Sequence, residues 1–345
     1  MGQSFRALVG FDGFIDRILS VVDRRWGVGN CFQAMETIAC LAERVQAAIG
    51  KSTNIELVLK EERMGGNGPL LANALRKGDV DITYIGALGQ PIHPLFVPLQ
   101  PVAHVYSIAD PGITHALEFR DGKLLLGEMS SLLHISLDRV QQLILSDSLC
   151  EAIASMDLLA FVNWTMIPEM TSIVQWILSE VLAQGDEGRW PWIFFDLADP
   201  CKRPEEDLLV FLQKLSSWNQ KGRVVLGLNL KEAQQVMRIL LGVSCDGESQ
   251  EVLMSSAEQL RIALDIHTLF IHPVSYAVVA SHEGAWTADG FFVENPKILT
   301  GAGDHFNAGF LLALLYGKSS QEALIQGLRH SSYYVRYAET PSFPG

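Results

Sequence analysis

Residues 299–317 read LTGAGDHFNAGFLLALLYG, in which Asp304 lies between a glycine-rich turn and an apolar helical stretch. Small residues at a helix start leave the first backbone N–H groups accessible to a ligand, and the helix dipole favours negative charge there. We therefore expect Gly301, Ala302 and Gly303 to form an anion hole for a phosphate group. A carboxylate beside such a hole can accept a proton from an attacking hydroxyl, so the stretch carries the two requirements of phosphoryl transfer.

Glycine-rich stretches such as those of this chain have three other common interpretations. Asp304 could be only an N-cap, because aspartate is a favoured residue at that position. A dinucleotide-binding fingerprint would need glycine where Phe306 stands. The two Gly-Lys-Ser triplets, at 50–52 and 317–319, lack the glycine five residues earlier that a phosphate-binding P-loop requires. The N-cap therefore remains the main alternative for Asp304.

Short apolar runs alternate with amphipathic stretches along most of the chain, which predicts an α/β fold with a mainly parallel sheet and helices on both faces. The predicted strands are 6–10, 82–86, 157–163, 192–196, 224–228, 268–272 and 277–280. The predicted helices are 69–78, 137–154, 168–184, 204–217, 230–241, 252–264, 305–316 and 321–338.

Two stretches interrupt this alternation. Residues 102–127 are typical of strands, with a hairpin at 116–128 whose turn we assign to Asp121-Gly122. Residues 31–49 favour a helix, followed by a strand at 54–60. We expect these segments, from about 14–62 and 98–128, to form a small β-containing lid over the open edge of the sheet. Residues 1–345 would then form a single domain with an inserted lid.

Composition narrows the function further. The 345 residues carry a formal net charge of −13, whereas nucleic-acid binding needs a basic surface. The five cysteines are odd in number and include no Cys-x-x-Cys pair, which favours a reduced, cytoplasmic setting. No secretory signal and no membrane span are predicted. We therefore expect neither nucleic acid nor a membrane among the partners.

The stretch 301–310 resembles the second signature of the ribokinase-like (PfkB) carbohydrate kinases, although 298–299 is Ile-Leu where that family has Asp-Thr. The resemblance implies a three-layer α/β/α fold and a kinase that moves the terminal phosphate of ATP to an alcohol group of a sugar. It also implies Asp304 as general base and Mg²⁺ as cofactor. His305, the next residue, is expected to pack or cap rather than to catalyse.

Residues 64–89, MGGNGPLLANALRKGDVDITYIGALG, resemble the first signature of the same family. Gly65 and Gly66 would let the backbone approach the acceptor, and Asn67 offers both a donor and an acceptor. Asp12 and Asp16 follow the first predicted strand, at the sheet edge where α/β folds bind ligands. We expect all five residues to contact the sugar; the alternatives are an ordinary glycine turn and solvated loop carboxylates.

Two further segments match the family in order. Asn229 and Glu232 are three residues apart at a helix start, and in the family such a pair orders magnesium and its waters near the phosphates; a capping box explains the spacing equally well. Ser281 and Gly284 are the best matches to the nucleotide-side loop of the family. Asp196 resembles a carboxylate that the family places after a buried strand.

Several alternatives stay open at this level. A nucleoside kinase of the same fold, or a non-catalytic ligand-sensing relative, would share most of these motifs. ADP or another nucleotide could replace ATP as the donor. The resemblance also makes a homodimer through the lid conceivable. The intact Gly-Ala-Gly-Asp at 301–304 favours an active kinase, because a sensor has no need of the base.

Overall fold

The computed structural model describes residues 4–186, 188–243 and 249–343. Its larger sheet has nine strands in the order β14-β13-β12-β11-β10-β9-β1-β5-β6. All neighbours are parallel except β13, which is antiparallel to both β12 and β14. The strands are β1 Phe5–Phe11, β5 Val80–Ala87, β6 His104–Ala109, β9 Leu158–Phe161, β10 Trp192–Asp196, β11 Arg223–Leu228, β12 Thr268–Ile271, β13 Tyr276–Ser281 and β14 Gly284–Asp289.

This sheet separates two hydrophobic cores. Strand β1 shows why, since its buried side chains alternate: Leu8 packs into one core, whereas Ala7 and Val9 pack into the other. Both faces of a parallel sheet are covered by crossover helices, so such strands are apolar throughout. The three-layer α/β/α prediction is confirmed.

The helices agree with the predicted pattern in position and differ in detail. They are α1 Ile38–Ala47, α2 Asn67–Leu75, α3 Leu137–Ser146, α4 Cys150–Ala154, α5 Met170–Trp176, α6 Glu205–Asn219, α7 Leu230–Leu241, α8 Gln250–Leu264, α9 Ala302–Leu315 and α10 Ser320–Tyr337. The single helix expected at 137–154 is two helices, because Ser148 adopts a left-handed conformation between them. Among the described residues no helix is long and apolar enough to cross a membrane.

A second sheet, here called the lid sheet, consists of β2 Phe14–Arg25, β3 Phe32–Ala34, β4 Leu57–Gly65, β7 Gly112–Phe119 and β8 Gly122–Glu128. Its central strand β2 was missed as a strand. Three details of the expected lid are wrong. Residues 104–109 belong to the larger sheet as β6, the helix α1 begins only at Ile38, and the two-residue hairpin turn is Arg120-Asp121, with positive φ only at Gly122.

Candidate active site

A cleft of about 430 Å³ lies between the lid sheet and the carboxyl edge of the larger sheet. Parallel strands end at the same edge, so the polar residues that follow them converge. Asn163 follows β9, Asp196 ends β10, Asn229 follows β11 and His272 follows β12, and all four line the cleft. The structure thus brings the predicted Asp196 and Asn229 together with Asn163 and His272, which the same strand-end rule could have found.

Asp304 lies at the third position of α9 and is 7% exposed at the wall of the cleft. Its Oδ1 accepts a hydrogen bond from the Asn67 side-chain amide at 3.0 Å. The N-cap of α9 is Gly301, whose φ of +91° suits glycine. Asp304 is therefore not the cap of this helix, and the main alternative to a chemical role does not apply.

The predicted anion hole is only partly free. Gly301 and Gly303 line the cleft, but the Ala302 amide donates to the Leu299 carbonyl at 3.2 Å. The Gly301 and Gly303 amides have no acceptor within the described part of the chain, whereas the Asp304 amide interacts with its own carboxylate. The available donors at this helix start are therefore the amides of Gly301 and Gly303, two of the three predicted residues.

His305 supports this helix start from behind. Its ring is buried, with Nδ1 2.7 Å from the Gly301 carbonyl and Nε2 3.0 Å from the Thr340 hydroxyl. Burial lowers the pKa of His305 to about 4, so the ring is neutral at physiological pH. His305 is thus packed and hydrogen-bonded behind the helix start, as expected. Its second bond also joins the C-terminal segment to the Gly301 turn.

Asp12 has a different position from the one predicted. It is fully buried and does not line the cleft. Its carboxylate accepts hydrogen bonds from the Asn67 amide at 3.0 Å, the Gly68 amide at 2.7 Å and the Asn163 side chain at 2.7 Å. The structure contradicts a substrate contact for Asp12. It anchors the start of α2, and through Asn67 it helps to hold the side chain that faces Asp304.

Asp16 and the glycine loop face the cleft much as the first signature implies. Asp16, Gly66 and Asn67 line it, whereas Gly65 lies behind them. A side chain at Gly65 would overlap the Asp16 carboxylate, which explains the glycine. Burial raises the pKa of Asp16, and the nearby charge of Arg63 opposes that rise. The group able to accept hydrogen bonds from sugar hydroxyls is therefore Asp16.

Asn229 and Glu232 form a complete capping box at the start of α7. Asn229 Oδ1 accepts from the Glu232 amide, and Glu232 Oε2 accepts from the Asn229 amide, both at 2.9 Å. Glu232 Oε1 accepts from the Asp199 amide at 2.9 Å. The capping interpretation is thus correct, yet both side chains also line the cleft. Each carboxylate oxygen has a second lone pair, so Glu232 can still bind a water or a metal.

Three carboxylates near the cleft have raised pKa values because they are buried among other acidic groups. Burial is the main cause for each: the pKa of Asp12 rises to about 6, that of Asp196 to about 8, and that of Asp304 well above its usual range. The Glu232 charge adds to the rise at Asp196, and Asp196 and Asp12 add to the rise at Asp304. A carboxylate with a raised pKa is a stronger base once deprotonated.

Ser281 and Gly284 do not reach the cleft. Ser281 pairs with Thr268, the first residue of β12, because β13 runs antiparallel to β12. The β13–β14 turn therefore lies at the amino edge of the parallel strands, opposite Asp304. The prediction that these two residues contact the nucleotide is wrong. The hairpin at the carboxyl edge instead joins β12 to β13, and its first residue, His272, lines the cleft.

The lid sheet closes the other side of the cleft with alternate residues of its strands. Arg63 on β4 pairs with Asp16 on β2, so the two side chains share the inner face. Lys123 on β8 reaches across the cleft, and its ammonium donates to the Thr300 hydroxyl at 2.7 Å. No sequence motif marks these residues, because only the register of the lid sheet shows which side chains point inward.

The comparisons with known proteins cover nearly the whole chain. The family model of the prokaryotic ketohexokinases matches residues 3–344. The chain belongs to that family. It is therefore a carbohydrate kinase of the ribokinase-like type, as its two signatures predicted.

Three individual proteins similar to this chain illustrate the family and the fold. It is 26% identical to a ketohexokinase of Haloferax volcanii, over 98% of this chain and 88% of that protein. An Arabidopsis thaliana ribokinase, solved with ribose and ATP, superposes with a TM-score of 0.65 at 15% identity, over 99% and 95% of the two chains. A Cryptococcus neoformans ribokinase, solved with ADP, gives 0.62 at 17% identity, over 97% and 94%. These two structures support the fold.

Proposed function

We propose that this chain transfers the terminal phosphate of ATP to an alcohol group of a ketohexose, with Asp304 as general base. The observation that carries the proposal is the position of Asp304, buried in the cleft wall next to free helix N-terminal amides and bonded to Asn67 through one oxygen. The other oxygen can accept the hydroxyl proton. Asp16 would hold further hydroxyls of the sugar. The ketohexokinase family supplies the substrate class, and ATP accompanies a relative of the same fold.

In this mechanism the acceptor oxygen attacks the terminal phosphorus, the bond to the bridging oxygen of ATP breaks, and ADP leaves with the electron pair. The acceptor proton passes to Asp304. The amides of Gly301 and Gly303 would stabilise charge on the transferring group, since such preorganised donors need no rearrangement. Cleft closure by the lid sheet would exclude water as a competing acceptor.

A coupled ADP-release assay over a panel of sugars tests the proposal. We expect turnover with ATP and a ketohexose such as fructose, and much lower kcat/KM with aldohexoses, pentoses, sugar phosphates and nucleosides. The Asp304→Asn variant serves as the blank and gives the background rate of ADP release, which is subtracted from the wild-type rate. Turnover confined to nucleosides, or none with any member of the panel, would refute the ketohexose assignment.

The expected homodimer through the lid stays a prediction, because the structure is of a single chain.

Magnesium is the cation that we expect beside Glu232 and Asn229. No described group of three or more His, Cys, Asp or Glu residues forms a ready-made metal site. This donor set still fits magnesium, which keeps several waters and takes few protein carboxylates plus substrate phosphates. The buried amide oxygens of Asn163 and Asn307 have no hydrogen-bond partner among the described residues, so acceptors remain for its waters. When bound, magnesium would neutralise phosphate charge.

Glu232→Gln should raise the Mg²⁺ concentration for half-maximal activity about 10-fold or more, as loss of a supporting metal group does elsewhere. Glutamine keeps one oxygen for the capping box, but its NH₂ group cannot accept from the Asp199 N–H, so α7 should keep its start while the melting temperature falls. Initial rates over a magnesium titration at saturating ATP measure the effect. An unchanged titration midpoint, or full wild-type activity in excess chelator, would rule out this role.

A further inference from the structure

Arg63 lies on β4 and differs from every other arginine of the lid. The lid here means residues 14–65 and 112–128. The remaining lid arginines each have a carboxylate within 4.0 Å: Arg17 with Glu62, Arg24 and Arg44 with Asp23, Arg25 with Glu56, and Arg120 with Glu36. Arg63 makes no hydrogen bond and no such ion pair with the described residues, although it is half-buried. A guanidinium has five N–H donors, so one that lines a cleft with none of them hydrogen-bonded, although its charge acts on Asp16 and Tyr334, points to a ligand.

The register of the lid sheet fixes where this guanidinium acts. Arg63 pairs across strands with Asp16, the carboxylate expected to hold the sugar. Its charge also acts on Tyr334. The Tyr334 ring lies against Gly301, because a Cβ at Gly301 would come within 3.2 Å of its Cε1 and Oη atoms. Arg63 therefore lies beside Asp16 on the acceptor side, and it lines the same cleft as Gly301 and Gly303 at the start of α9, where the proposed phosphate transfer takes place.

The other cations of the cleft are already engaged. Lys123 donates to Thr300, and Lys202 lies 3.5 Å from Asp199. The same cleft is lined by Asp16, Asp196 and further carboxylates, which repel an incoming phosphoryl group. A neutral ketohexose carries no charge for Arg63 to match, whereas the transferring phosphoryl group carries charge on its three outer oxygens.

We propose that Arg63 is a further catalytic residue, whose guanidinium contacts the phosphoryl group during transfer and the phosphate of the product afterwards. This inference rests on the proposed phosphoryl transfer. Arg63 gives up no proton and forms no covalent bond: the acceptor proton goes to Asp304 and ADP takes the electron pair of the broken bond. Its interaction is made with a charge that free ketohexose lacks, so it lowers the barrier rather than strengthening ground-state sugar binding.

The test compares Arg63→Gln, Arg63→Lys and a matched control, Arg17→Gln. Arg17 belongs to the neighbouring register pair, with its side chain on the outer face and bonded to Glu62. Arginines that reach a transferring phosphoryl group contribute about 10³–10⁵ in kcat when fully enclosed. For a half-buried arginine we expect Arg63→Gln to lower kcat about 10²-fold, with the ketohexose KM within about 3-fold of wild type. Arg63→Lys should lower kcat about 10-fold, because lysine keeps the positive charge but lacks the paired N–H donors of the planar guanidinium. Arg17→Gln should match wild type.

A second measurement separates this inference from the proposed function. Inorganic phosphate is titrated into wild type and Arg63→Gln in the presence of ADP, followed by ³¹P NMR, and we expect at least about 10-fold weaker binding by the variant. This readout needs no turnover, so a wild-type chain inactive on ketohexoses would refute the proposed substrate and leave the Arg63 comparison standing. Wild-type kcat and phosphate affinity in Arg63→Gln would overturn the inference. So would a variant whose only defect is a raised ketohexose KM, because Arg63 would then bind the sugar itself.

Discussion

Asp304→Asn is expected to lower kcat by about 10²–10⁴, the range that a positioned general base contributes. The sugar hydroxyl is a poor nucleophile until its proton has an acceptor, and an amide cannot take that proton. The substitution keeps the size of the side chain and an oxygen that can accept the Asn67 bond. Nucleotide affinity should therefore stay within a few-fold of wild type.

The stability of the same variant separates chemistry from folding. Burial and the neighbouring Asp196 and Asp12 raise the pKa of Asp304, so its charge is unfavourable in the folded chain. An uncharged asparagine should leave the melting temperature unchanged or raise it. The measurements are kcat with saturating ketohexose, calorimetric titration with ADP and a thermal melt. Wild-type turnover in a folded variant would end the case for Asp304 as base.

The largest expected effect on stability is a fall in the free energy of unfolding of the metal-free chain between about pH 4 and pH 8. The pKa of Asp196 is raised in the folded state from 3.8 to about 8. The folded chain therefore holds a proton that the unfolded chain has already lost in this window. A raised folded-state pKa gives stabilisation that is complete below the unfolded pKa and is lost as the pH rises through the folded one. At about 1.4 kcal/mol per pKa unit, the loss is on the order of 5 kcal/mol.

Asp196→Asn should make this dependence less steep, because asparagine does not titrate, while Asp12 and Asp304, whose pKa values are also raised, still contribute. With an unfolding entropy of about 2.1 cal/mol/K per residue, the effect corresponds to roughly 7 °C in melting temperature at pH 8. Melting curves of both chains in chelator at pH 5, 6, 7 and 8 measure it. Asp147→Asn, a change at an exposed carboxylate, is the control and should follow wild type. Equal slopes for wild type and Asp196→Asn would contradict the assignment.

Sequence patterns predicted the larger sheet and the chemistry at its edge for a physical reason. Buried parallel strands are continuous apolar runs, and the residue that follows each one lies at a known edge. The cleft is therefore lined by four residues that the motifs indicated: Asp304, Asn67, Asn229 and Glu232. Asp12 followed the same rule, yet its side chain turned inward to bond backbone amides, which only the packing of α2 reveals.

Two of the errors have a common origin in antiparallel pairing. Ser281 and Gly284 were matched to the nucleotide-side loop of the family by residue type, but β13 runs antiparallel to β12 and carries them to the opposite edge of the sheet. The lid posed the same difficulty: a one-residue change of register moves every side chain to the other face. Arg63 could not be distinguished from Arg17 until the pairing of β2 with β4 was known. Local pattern determines that a segment is a strand, but not what it pairs with.

The hydrogen bond from Asn67 to Asp304 joins residues 237 positions apart. The site can therefore form only late in the synthesis of the chain on the ribosome. Parallel strands pay the entropy of closing long loops before their contacts form, so such sheets assemble late and slowly. Synthesis proceeds at about 5–20 residues per second. Asn67 is therefore synthesised roughly 10–50 seconds before Asp304. Until α9 emerges, the apolar face of the sheet that α9 covers lacks this helix, and the nascent chain is prone to aggregation during that interval.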